Sequence, residues 1–229
     1  MSVPFPGTSP LAGMRILDFS QLLSGPWATQ LPRALGADVV KVEQPVIGDL
    51  SRHNHPRFVH DSVYFDTVNA SKRSAAIDLS GGTAAEVVPA LIHCAISSFG
   101  QTSPLSHIAG HDLVIPAATG VLGCHLPSDD PPEVPGFESA DCAGALMSGV
   151  AIQAAWTRRL QDGSGCTIDL GMHDAPSSMC TMPLASAMSR PAPGLGEHSV
   201  AFLREARLDV ARIAQWVEAG TAAQLDGHA

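Results

Sequence analysis

Met14-Arg15-Ile16-Leu17-Asp18-Phe19, a turn from Ser20 to Pro26, and Leu35-Gly36-Ala37-Asp38-Val39-Val40-Lys41-Val42-Glu43 decide the fold. The first run is short and apolar, as a buried strand is. Ser24 suits a helix N-cap and Pro26 a first helical turn, so a helix follows to about Leu35, where Gly36 is placed to end it. Val39 to Val42 makes a second strand. Strand, helix and strand in close succession predict an α/β fold, a parallel sheet with helices on its faces. Pro32 works against the helix: it removes a backbone donor at a cost of about 3 kcal/mol, so a kink or early end is expected there.

Outward from this unit, residues 1–13 read as a loose arm rich in Pro, Gly and Ser, and residues 44–66 as polar and irregular, with His53, His55 and His60 as solvated loop residues. Lys72 and Arg73 sit in a basic turn before a third strand, Ala75 to Leu79. A helix from Gly81 is stopped by Pro89, and Leu91 to Ser97 already reads as another strand. A parallel crossover takes a dozen or more residues, mostly helix, so this one looks shortened. Ala143 to Arg159 is a long helix with a basic end that suits its dipole. Asp162 to Gly165 is a turn, Cys166 to Leu170 a strand, and Met172 to Met188 a Met-rich helix interrupted by Pro176 and Pro183. Pro191 to Gly194 is a linker, and Ser199 to Ala219 forms one or two amphipathic helices broken near Leu208-Asp209.

Composition limits the function. The chain has 229 residues, 45% of them hydrophobic and 15% charged, enough for a real core, and its net charge of −9 speaks against general nucleic-acid binding. Its 5 cysteines are widely spaced with no CxxC, as in a reduced compartment. No signal peptide or membrane-spanning run is visible, so the chain reads as cytoplasmic and soluble. No metal site is expected: His107 and His111 have helical ligand spacing, but Pro104 and Gly110 put them in a loop.

The chemistry concentrates between Phe99 and Asp141. His111, in Ala109-Gly110-His111-Asp112-Leu113, and Asp141, in Ser139-Ala140-Asp141-Cys142-Ala143, each stand in a small-residue turn before an apolar run. They make a candidate acid/base pair or, for Asp141, a nucleophile, since a helix N-terminus favours the carboxylate anion; a loop histidine such as His111 is also read as structural. Asp141 equally fits the N-cap of the helix after it. Lys72 and Arg73 read as solvated charge or as a phosphate-holding pair.

Several of these stretches together resemble one family, the class III CoA-transferases and α-methylacyl-CoA racemases. Leu11 to Phe19, Ser24-Gly25-Pro26 and Leu35 to Glu43 look like its N-terminal signature. Asn69 to Leu79 resembles its basic turn and strand, and Phe99-Gly100-Gln101-Thr102, Gly110-His111-Asp112 and Asp141 its active-site segment. Gly163 to Asp174 and Leu195-Gly196-Glu197-His198 resemble later elements. Two family segments are missing: a helix, strand and CoA-contacting loop between Val88 and Leu91, and a small domain between Met182 and Gly194. A lost parallel strand leaves a gap in a sheet, and a lost domain uncovers apolar surface.

The resemblance implies a Rossmann-like large domain over residues 1–190, shortened, with a C-terminal helical segment over 191–229 and the small domain absent. It implies an acyl-CoA thioester and a carboxylic acid acceptor as small-molecule partners, coenzyme A entering as substrate with no permanently bound cofactor, and a homodimer as the family assembly. Asp141 matches the family's key carboxylate, and His111 tilts the chemistry towards racemase-like α-proton transfer on a 2-methylacyl-CoA. The alternatives are a CoA-transferase working through an aspartyl-CoA intermediate at Asp141, and a non-catalytic remnant. Lys72 and Arg73 are the residues expected at the CoA phosphates.

Overall fold

The computed structural model describes residues 9–57, 61–78, 91–123, 131–180, 196 and 198–222. The sequence-predicted helix from Gly81, the second half of the Met-rich run (residues 181–188) and the linker at Pro191 lie outside them. The chain divides into two compact units, Met1–Thr181 and Met182–Ala229.

In the first unit the opening strand, helix and strand form as their pattern requires: β1 (Arg15–Asp18), α1 (Ser24–Ala34) and β2 (Asp38–Glu43). Pro32 falls in the last turn of α1, and the helix stops two residues later with Gly36 at φ +101°. The end of the predicted loose arm is in fact packed: the Leu11 N–H donates to the Leu35 carbonyl at 3.1 Å, and Leu11 and Met14 are buried.

Residues 44–66 are more ordered than their polarity suggests. A single 3-10 turn, Leu50–His53, is capped by Asp49, and α2 (Val63–Asn69) starts where the Ser62 hydroxyl accepts the Phe65 N–H at 3.0 Å. The third strand, β3, covers Arg73–Ala76, earlier than expected. β1, β2 and β3 form one parallel sheet in that order.

β4 (Ile92–Ser97) and β5 (Cys166–Gly171) form a second parallel pair, separate from the first sheet. One core nevertheless serves both sheets: Ile16 and Val39 of the first and Cys94 and Ile168 of the second pack with Ile152 and Trp156. The last two lie on α4 (Ser139–Asp162), which begins four residues before the expected start at Ala143 and ends at Gly163, φ +75°.

The apolar face of α4 is only partly covered; Val150 is 67% and Leu146 44% exposed. Before α4 comes the short α3 (Val114–Ala118), and after β5 the short α5 (Asp174–Met179). The second unit contains α6 (Ser199–Glu205) and α7 (Val210–Glu218), broken where expected, with the Asp209 carboxylate accepting the Ala211 and Arg212 N–H groups. Among the described residues no helix is long and apolar enough to cross a membrane.

Candidate active site

Asp141 is not the N-cap of its helix but the third residue of α4, in the first turn. The cap comes from another part of the chain. Asp112 Oδ1 accepts the N–H groups of Ala140 at 2.7 Å and Asp141 at 2.9 Å, satisfying two donors that a helix start leaves open. His111, the residue before it, is thereby tied to the Asp141 turn. On its other side Ser98 clamps Gly110: its hydroxyl accepts the Gly110 N–H at 2.8 Å and donates to the Gly110 carbonyl at 3.1 Å. Beneath, Phe99, Ile115, Ala140 and Met172 form a small core that fixes the loop, the start of α4 and the end of β5 together.

The second support of Asp141 is Ser24. Its place before Gly25-Pro26 predicts an N-cap, but it is the first helical residue of α1, and the hydroxyl donates instead to Asp141 Oδ1. Small residues make that approach possible. A Cβ on Gly25 would overlap the Ser20 side chain, and one on Gly144 would stand 3.3 Å from Met172 Cγ. α1 and α4 therefore cross closely, with Ser24 against the Asp141 carboxylate.

The electrostatics shift Asp141 away from an ordinary surface carboxylate. Burial pushes the Asp141 carboxyl up; the Ser24 bond opposes this, Asp112 and Glu138 push it further, and the imidazole of His111 opposes them, the net shift being upward. His111 itself is exposed. Tyr64, the chain's only tyrosine, faces the same charges; burial, then Asp141, Glu138 and Asp112, holds its phenol well above the usual range. It lines a hollow of about 280 Å3 with Leu23, Val63, Val68 and Glu138. Sequence reasoning missed Tyr64, for which the chain offers no motif, and gave Ser24 and Asp112 no role at Asp141.

Lys72 requires a correction. Far from being a solvated or phosphate-facing charge, its side chain is 1% exposed, and its ammonium donates to Asp18 Oδ2 at 3.0 Å, the Pro26 carbonyl at 2.7 Å and Asn69 Oδ1 at 2.8 Å. An ammonium has three protons, so none is left for a phosphate. Lys41, also buried, pairs with Asp49 at 2.8 Å and lies 4.0 Å from Asp18. Burial raises the Asp18 carboxyl, but Lys72, Lys41 and the Ser20 and Thr29 hydroxyls outweigh it and hold it below its ordinary value. This quartet locks β1, β2 and the start of β3 behind α1.

Arg73 points outward, with a 62% exposed side chain paired to Asp38 at 2.7 Å. A second hollow of about 370 Å3 opens where β1 and β2 end, lined by Phe19, Gln21, Gln44, Gly48 and Ile77 among others. Among the described residues no group of His, Cys, Asp and Glu is arranged to hold a metal.

Comparison with known proteins matches residues 11–88 and 79–204 to CoA-transferase family III. The mouse succinyl-CoA:glutarate CoA-transferase is 32% identical over 211 residues, 77% of this chain and 48% of that protein. A succinate–glutarate CoA-transferase of Agrobacterium fabrum is 32% identical, covering 74% of this chain and 52% of its own. Among solved structures, a CaiB/BaiF family protein from Brucella suis superposes with a TM-score of 0.72 at 29% identity, over 79% of this chain and 57% of that one. The chain spans about half the length of the curated relatives it matches.

Proposed function

The chain belongs to CoA-transferase family III, and on that premise we propose that it moves coenzyme A between carboxylic acids, with Asp141 as nucleophile. The observation that carries this reading is the Asp141 carboxylate itself: half-buried, at a helix N-terminus capped from the His111 loop, with one oxygen held by Ser24. A carboxylate so placed is poised to attack an acyl-CoA thioester. The anhydride it forms passes the acyl group out as a free acid and keeps CoA on the aspartate, from which an acceptor acid collects it. The relatives named as CoA-transferases favour this over the racemase reading. Arg73 is the proposed phosphate contact, since its exposed guanidinium is within reach of a ligand where the buried Lys72 ammonium is not.

The test is a pair of assays with succinyl-CoA and glutarate. Glutaryl-CoA should form, and a CoA adduct should be trapped on the Asp141 peptide of the wild type but not of Asp141→Asn. No adduct in the wild type rules out the nucleophile. A second reading, α-proton transfer on a 2-methylacyl-CoA, has one observation in its favour: Asp112, the residue after His111, holds the backbone of the Asp141 turn at 2.9 Å. It requires exchange of the α-proton with deuterium oxide, and full exchange by His111→Ala excludes it. A non-catalytic remnant would give neither product.

A further inference from the structure

Among the described residues, the side chain that donates to the Asp141 carboxylate is that of Ser24, and it reaches Oδ1 alone. Ser24 is 6% exposed, and its hydroxyl lies 3.5 Å from Met172 Sδ. A hydroxyl carries one proton. The nearer and only charged acceptor is Asp141 Oδ1, while the Asp141 carbonyl, at 3.3 Å, lies further off. The two oxygens of Asp141 are therefore unequal.

We propose that Ser24 divides this carboxylate into a held oxygen, Oδ1, and an attacking oxygen, Oδ2, and that the same hydroxyl then steadies the oxyanion formed at Asp141 Cγ. The proposal rests on Asp141 being the nucleophile. In the first step Oδ2 bonds to the thioester carbonyl carbon, the C–S bond breaks, and CoA leaves as its thiolate. In the second the thiolate adds to Cγ, and the pair of electrons from the Cγ–Oδ1 double bond moves onto Oδ1. Ser24 already donates to that atom, so the developing charge meets a donor that need not reorient. Collapse breaks the Cγ–Oδ2 bond. The released acid carries Oδ2 away, and Asp141 keeps CoA as a thioester whose carbonyl oxygen is Oδ1. Ser24 thus touches a reacting atom in both states, which a helix cap would not.

The experiment is a rapid-quench measurement of Asp141 adduct formation from succinyl-CoA across a range of pH, for wild type, Ser24→Ala and Ser24→Thr, with thermal melts to show that each is folded. Loss of one such donor slows the step about 100-fold. Ser24→Ala should show that loss, and its pH midpoint should move upward because a bond to the anion is gone. Ser24→Thr, which keeps the hydroxyl, should recover most of the rate and the original midpoint. A Ser24→Ala protein forming the Asp141–CoA thioester at the wild-type rate with an unmoved midpoint overturns the proposal, as does a folded Ser24→Thr as slow as Ser24→Ala. Those results leave Asp141 as nucleophile; a wild type that forms no adduct overturns that reading and this one with it.

Discussion

Asp112 Oδ1 accepts the backbone N–H of Asp141 at 2.9 Å, so the residue after His111 holds the turn that carries the candidate nucleophile. The bond couples two loops whose separation in sequence gives no hint of it. Replacing such a cap by alanine costs about 1 kcal/mol, and Asp112→Ala should lose that much in urea unfolding. Asp112→Asn keeps an oxygen acceptor but removes a negative charge that pushes the Asp141 carboxyl up. It should therefore retain most of the stability while the Asp141 titration, followed by carboxyl carbon NMR, moves to lower pH. An unmoved titration would mean that Asp112 acts on Asp141 through the backbone alone.

Asp141 should weaken the fold that displays it. Its carboxyl titrates higher in the folded chain than in the unfolded one, chiefly through burial. The folded state then binds more protons over that interval, so the cost of Asp141 is full above its folded midpoint, fades as pH falls through it, and is gone below the unfolded one. Asp141→Asn keeps an acceptor for Ser24 and carries no charge. It should melt higher than wild type at pH 7, and the gap should close in acid. A variant that melts lower at pH 7 would show that the anion is net stabilising.

Lys72 and Arg73 are neighbours in sequence with opposite consequences. Lys72→Met takes from Asp18 its nearest cation and leaves it Lys41 at 4.0 Å and the Ser20 and Thr29 hydroxyls. Removing one partner of a buried ion pair is strongly destabilising, so this variant should unfold at clearly lower urea. Arg73 sits on an exposed, solvent-screened pair with Asp38 that contributes little to stability. Arg73→Ala should fold nearly as well as wild type yet lose part of any thermal shift given by CoA. An unchanged shift would remove Arg73 from the proposed phosphate site.

The contrast shows where the sequence was legible. The β1-α1-β2 unit and the paired α6 and α7 follow from local patterning, because a 2.0 or 3.6 residue period and a helix stop are written into consecutive residues. The small-residue turns of His111 and Asp141 could be picked out in the sequence, but the Asp112 bond that joins them could not. The role of Lys72 was hidden, because a Lys-Arg turn reads the same whether its first ammonium faces water or Asp18. Ser24-Gly25-Pro26 misled for a related reason. It has the composition of a helix cap, but Gly25 is there because a side chain would collide with Ser20, and Ser24 serves a residue far along the chain. α2 was missed because its cap at Ser62 lies in a polar stretch, with Phe65 and Val68 its only strongly buried apolar anchors.

Glu43 should govern how the protein fails in acid. Burial pushes its carboxyl up, but the Arg52 hydrogen bonds at 2.8 and 2.7 Å, the Asp49 N–H and the Ser74 hydroxyl outweigh it and bring it down to about 2. The unfolded value is about 4.5. Between the two the unfolded chain binds the extra proton, so the stability Glu43 contributes is complete above about 4.5 and is lost as pH falls towards about 2. Asp18, also held low, acts in the same direction. Glu43→Gln gives up the charge on Arg52 at every pH. It should therefore melt below wild type at pH 7, show a shallower fall between about 4.5 and about 2, and meet the wild-type curve at the acid end. Parallel curves would assign the acid sensitivity to the Asp18 quartet instead, and a double variant with Asp18→Asn would then flatten what Glu43→Gln left.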